Sequence, residues 1–139
     1  LGRKVLMEGG RGLKLLAGRI DATVQRALQQ PALATQASAL AAALAHVGRA
    51  TKAAWATGNP GEALANAVPY LQAFGHMVLA WVWLELSLAA NAIESEAVCA
   101  GVAGARAYFF SYELPKIDAW LRVVENRDMT CANLAETAF

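Results

Sequence analysis

The sequence predicts an all-α fold, an antiparallel up-and-down four-helix bundle with long third and fourth helices. Three observations predict it. Apolar residues recur at steps of three and four along most of the chain, and no run alternates with period two. Alanine dominates a composition that is 57% hydrophobic and 17% charged, and alanine loses least on entering a helix. Glycine, asparagine and proline fall where one segment must give way to the next. At 139 residues the chain reads as a single domain, able to bury a core without staples.

The first helix begins near Gly10, because Leu13, Leu16, Ala17, Ile20, Val24, Ala27 and Leu28 share one face. Residues 1–10 before it read as a linker, with Gly9-Gly10-Arg11-Gly12 a hinge rather than a phosphate cradle, since no strand precedes it and no GK[ST] follows. Pro31 ends the helix. The second helix, over 32–57, places Leu33, Ala37, Leu40, Leu44, Val47, Thr51 and Ala54 at alternating steps of four and three, a heptad seam. Gly58 supplies the left-handed stop, and Asn59-Pro60-Gly61-Glu62 reads as an N-cap, a proline in the first helical position and a capping-box carboxylate.

The third helix is expected over 61–90, about 45 Å at 1.5 Å per residue, with Pro69 bending it or marking its true beginning. Asn91 with Glu94 offers a cap for a fourth helix. That helix carries Val98, Val102, Ala105, Phe109 and Tyr112, resumes after Pro115 with Ile117, Trp120, Leu121 and Val124, and closes at Asn126. Asp118 and Arg122 stand four apart and would pair on its wet side. Residues 126–139 are left as a tail.

Between Glu62 and Glu94 the only formal charge is Glu85. A helix apolar on most of its circumference must be enclosed by protein or lipid. A buried carboxylate, together with Pro69, Gln72 and His76 and the lack of basic flanks, argues for a central bundle helix over a membrane span. Glu85 reads as a core or boundary carboxylate paired with an arginine or a tyrosine hydroxyl. Trp81 and Trp83, about 200° apart around a helix, cannot share a face, so one points toward a second partner surface. Tyr70, Trp81, Trp83, Glu85, Phe109 and Trp120 are the expected packing or interface anchors.

No catalytic, cofactor or metal site is visible. His46 and His76 lack a Cys, His, Asp or Glu at i+3 or i+4, Cys99 and Cys131 form no CxxC pair, and no GxSxG elbow occurs. Six positive charges among the first thirty residues, against Glu8 and Asp21, make a solvated basic face, with a phosphate-bearing ligand or an acidic neighbour as the alternative. A net charge of +1 gives no case for nucleic acid.

Several stretches together resemble a known family. Leu1-Gly2-Arg3-Lys4-Val5-Leu6-Met7-Glu8-Gly9-Gly10 resembles the segment that follows the catalytic and flavin-contacting run in a subgroup of bacterial acyl-CoA dehydrogenases. Val68-Pro69-Tyr70-Leu71-Gln72-Ala73-Phe74-Gly75 with the tryptophan helix is similar to that subgroup's extra C-terminal helical domain. So are Ala107-Tyr108-Phe109-Phe110 leading to Glu113-Leu114-Pro115, and the ending Ala135-Glu136-Thr137-Ala138-Phe139. The resemblance covers essentially the whole chain. It implies a cytoplasmic, homo-oligomeric parent that binds FAD and oxidises an acyl-CoA to its trans-2-enoyl form, a glutamate taking the alpha proton while the beta hydride passes to flavin. In the family pattern that glutamate and the flavin-contacting Thr-x-x-Ile-Gln run precede the position of Leu1, so this chain is expected to be an inactive accessory domain whose partners are the upstream dehydrogenase domains. A free-standing helical interaction or ligand-binding bundle is the alternative, and a membrane-associated helical protein a third reading.

Overall fold

The structure, a computed structural model, describes residues 1–90, 95–135 and 137. It is helical, with no strand among the described residues. A short α1 (Arg3–Leu6) and a 3₁₀ turn (Met7–Gly10) lead into α2 (Arg11–Leu28) and α3 (Ala34–Ala54). A five-residue α4 (Pro60–Leu64) precedes α5 (Ala67–Ala90); α6 (Glu96–Tyr108) then runs through a π turn (Phe109–Glu113) into α7 (Lys116–Glu125).

Prolines and left-handed residues decide where the helices break. The boundary at Gly58 forms as its residues dictate: Gly58 takes φ 71, and the Asn59 side chain accepts the Gly61 N–H at 2.8 Å. The capping box is completed differently. The Thr57 hydroxyl lies 3.4 Å from the Asn59 N–H as its acceptor and donates onward to Glu62 at 2.9 Å, so the reciprocal bond is relayed through a side chain. The single third helix expected over 61–90 is two. Pro69 has no N–H for the Ala65 carbonyl and fits only the first turn of a helix, so the chain turns at Ala65 and Asn66 and α5 starts at Ala67.

The long fourth helix is likewise divided. Pro115 withholds the bond that would continue the helix from Ser111, and the preceding turn widens so that the Leu114 N–H reaches the Phe109 carbonyl at 2.9 Å. The extra residue in that turn shifts the phase of the helix. Phe109, Ile117, Leu121 and Val124 are buried as expected, but Val98 and Tyr112, expected inside, are exposed. The Asn91 and Glu94 cap lies outside the described residues. Asn126 is helical; the left-handed residue that ends α7 is Arg127 (φ 48). Its N–H bonds to Val124 and that of Asp128 to Val123, a Schellman pair. Arg127 is held there by bonding the Ala53 carbonyl at 3.1 Å and lying 3.6 Å from Glu62, while Asn66 donates to the Asp128 carbonyl at 2.7 Å.

One core joins α2, α3, α5 and α7. Ile20 and Val24 meet Leu40 and Val47, Met77 and Leu84, Leu121 and Val124. The α3 seam is buried along its length at Leu33, Ala37, Leu40, Val47, Thr51 and Ala54, and Leu28, expected on the α2 core face, is half exposed. The alanines at Ala37, Ala43, Ala50, Ala73 and Ala80 let the helix axes approach closely. Helix α5 packs on α2, α3, α6 and α7 and is the centre of the molecule, whereas α6 buries no residue completely. The Cys99 thiol lies 3.4 Å from the Ala90 carbonyl and Cys131 is exposed, so no disulfide joins the two.

Candidate functional site

The single charge of α5 fixes how that helix sits on α2. Thr23, buried in the wall between them, accepts the Trp81 indole N–H at 2.7 Å and donates to the Glu85 carboxylate. Arg26, one turn further along α2, closes the carboxylate from the solvent side. Glu85 thus has the arginine partner its environment requires, with Thr23 in place of a tyrosine hydroxyl. This chain from indole to hydroxyl to carboxylate to guanidinium leaves Glu85 engaged on both sides, a packing group rather than a base held ready for a substrate.

The other expected anchors sit around α5. Tyr70 is buried, its hydroxyl 2.7 Å from that of Thr51 and its ring stacked on Phe74 with centroids 6.1 Å apart. Burial pushes its hydroxyl pKa up, and the Thr51 bond only partly offsets that. Phe109 and Trp120 meet on His76, with ring centroids 5.9 and 4.8 Å from the imidazole. His76 Nε2 lies 3.5 Å from Glu113, which also binds Lys116 at 2.7 Å. The Lys116 ammonium, with a smaller contribution from His76, holds the Glu113 carboxyl below the usual range. Trp83 is half buried against the core. Its predicted separation from Trp81 holds: Trp81 serves the α2 side, and Trp83 falls with His76 on the opposite flank.

His46 has partners that local spacing did not disclose. Its Nδ1 lies 3.1 Å from Asp118 and its Nε2 3.4 Å from Glu125, both on α7. Asp118 and Glu125 are two helical turns apart, which is the signal that could have found them. Asp118 therefore pairs across the bundle instead of with Arg122. With both ring nitrogens engaged, His46 is a strut between α3 and α7. No three His, Cys, Asp or Glu side chains among the described residues converge for a metal.

The feature left unsatisfied is the outer face of α5. Tyr70, Ala73, Met77, Ala80, Leu84 and Ser87 are buried. On the opposite side Val68 and Leu71 are each 69% exposed, followed by Leu79, Val82 and Leu86 at 47%, 41% and 45%. At about 100° per residue these five fall within roughly 80° of one another and opposite Met77. The expectation that this helix is enclosed on all sides is met on its inner half only; the outer half is bare in this chain. By length and composition alone, α5 is also long and apolar enough to cross a membrane. Five half-exposed aliphatic groups would release about 1 kcal/mol each on being covered, roughly 5 kcal/mol in all.

A family model described as acetyl-CoA dehydrogenase C-terminal like matches residues 16–135. No curated protein and no solved structure matches the chain.

Proposed function

The chain belongs to the acetyl-CoA dehydrogenase C-terminal-like family, and on that premise we propose that it is an accessory docking domain of a cytoplasmic, flavin-dependent acyl-CoA dehydrogenase. Its partners are the upstream dehydrogenase domains of the same polypeptide, in a homo-oligomeric parent that oxidises acyl-CoA to trans-2-enoyl-CoA. The observation that carries this reading is the uncharged outer stripe of α5. An exposed row of aliphatic groups directly opposite a packed core is what a helix presents when protein outside the bundle completes its burial.

The chain contributes packing rather than chemistry. The groove lined by Thr51 and Trp55 offers no unspent hydroxyl or indole N–H for the heteroatoms of a flavin ring, since both are already hydrogen-bonded. The packing order supports an up-and-down bundle, with α2 and α3 adjacent, α5 central, and α6 and α7 forming its interrupted last member. A lipid contact for the same stripe is the weaker reading, because the inner half of α5 is committed to the core and the ionic Glu85–Arg26 pair sits on its flank.

The test is a full-length enzyme carrying Leu79→Asp with Val82→Asp. Both positions are half exposed in this chain, so the bundle itself stays folded. Burying two carboxylates against an apolar partner costs several kcal/mol, so the domain is expected to detach. Limited proteolysis between it and the upstream domains then accelerates by about tenfold or more. An unchanged cleavage rate, with the bundle still cooperatively folded, would refute docking through α5.

A further inference from the structure

A second surface, on the far side of α2, carries chemistry that docking does not use. The chain before α2 does not run away from the bundle. Glu8, Gly9 and Gly10 take φ values of 50, 63 and 80 in succession, which folds α1 back beside α2. The Trp55 indole N–H holds the start of the chain by bonding the Leu1 carbonyl at 3.2 Å. Between this returning segment and the last turns of α3 lies a groove of about 690 Å³, a size that suits a small organic ligand.

Its lining separates into two parts. Val5, Leu13 and the Trp55 ring form an apolar floor, and Gly48 leaves a gap in it, since a Cβ there would meet nothing within 4 Å. The polar atoms of the floor are spent: the Thr51 hydroxyl donates to the Val47 carbonyl at 2.7 Å and bonds Tyr70, and the Trp55 N–H is held by Leu1. At the mouth stand Lys14 and Lys52, both exposed and neither in an ion pair among the described residues. Among the described residues no carboxylate lines the groove, and the neighbouring Glu8 is tied to Arg11 at 3.2 Å.

We infer that this groove binds a single-chain amphiphile with an anionic head, its aliphatic tail on the Val5–Leu13–Trp55 floor and its head between Lys14 and Lys52. An apolar floor with no free donor selects a hydrocarbon, and two ammonium groups at the mouth select negative charge. A carboxylate and a phosphate monoester share that chemistry.

Calorimetric titration of the chain with octanoate, decanoate and dodecanoate, below their aggregation concentrations, tests the assignment. Affinity is expected to rise by up to about fourfold for each added methylene, and decanol should bind about tenfold or more weakly than decanoate. Tighter binding of decyl phosphate than of decanoate would identify a phosphoryl head, and the reverse a carboxyl head. Gly48→Leu fills the gap and favours the helix by propensity, so it should abolish binding without lowering the melting temperature. Lys14→Gln with Lys52→Gln should weaken the anions by about tenfold while sparing decanol. Affinity independent of tail length, or undiminished in both variants, would overturn the assignment and move the amphiphile to another surface such as the outer stripe of α5.

Discussion

Leu84→Ala is expected to lower the stability of the chain by about 3 kcal/mol, whereas Leu86→Ala, two residues along the same helix, should cost less than about 1 kcal/mol. The two leucines have the same chemistry and the same helical backbone. Leu84 is 0% exposed and packs in the common core, while Leu86 is 45% exposed on the opposite side. Truncating Leu84 removes buried methyl groups and leaves a cavity that close-packed neighbours cannot fill. Truncating Leu86 loses only partial contacts and gains a better helix former. For a domain of this size the difference reads as roughly 10 °C against 3 °C or less in melting temperature. Equal losses at the two positions would mean that α5 does not present the faces described here.

Thr23→Val is the second large effect, about 2 kcal/mol despite near-identical shape. Thr23 is 1% exposed and is both the acceptor for Trp81 and a donor to Glu85. Valine leaves a partly buried indole N–H unmet and removes one of the two groups that neutralise or solvate the carboxylate, and an unmatched buried polar group costs about 1–3 kcal/mol. Arg26→Gln should be much milder, below about 1 kcal/mol, because the Arg26 side chain is 57% exposed and water replaces it. Denaturant unfolding of Thr23→Val, Trp81→Phe and the double variant separates the terms. The double variant should lose less than the sum, by about 1 kcal/mol, because a phenylalanine ring in place of the indole has no N–H to strand. Strict additivity would show that the indole–hydroxyl bond contributes nothing.

The parts of this structure legible in the sequence are those set by backbone chemistry over a few residues. Gly58 and Asn59-Pro60 mark their boundary because only such residues suit a left-handed stop and an N-cap. The α3 seam is legible because Leu33, Leu40 and Val47 recur every seven residues, with Ala37, Leu44 and Thr51 interleaved on the same face. Helix α5 defeats the same reading. It is apolar all round, so no polar stripe tells which side faces the core, and Val82 and Leu84 are interchangeable by composition although one is exposed and the other buried. Pro69 and Pro115 announced a disturbance without its form; the π turn at Phe109 follows from how the chain accommodates Pro115 while keeping Phe109 and Ile117 in the core.

The candidate surfaces were legible to a lesser degree. That Glu85 needed a cationic or hydroxyl partner followed from its isolation, but Arg26 stands 59 residues away, beyond any local rule. His46 likewise meets partners on a distant helix, where the two-turn spacing of Asp118 and Glu125 was the only signal. The amphiphile groove was foreshadowed only by the basic charges of the first thirty residues. Its floor is assembled from α1, α2 and α3, and depends on three consecutive left-handed residues of which only two are glycine.

Hydroxyl-radical footprinting of the proposed parent enzyme beside the isolated chain tests the docking role of α5 most directly. Side chains desolvated at the centre of an interface lose their access to the radical, so oxidation at Leu79, Val82 and Leu86 should fall by about fivefold or more in the intact enzyme. Equal oxidation of those three side chains in the two samples would contradict the account.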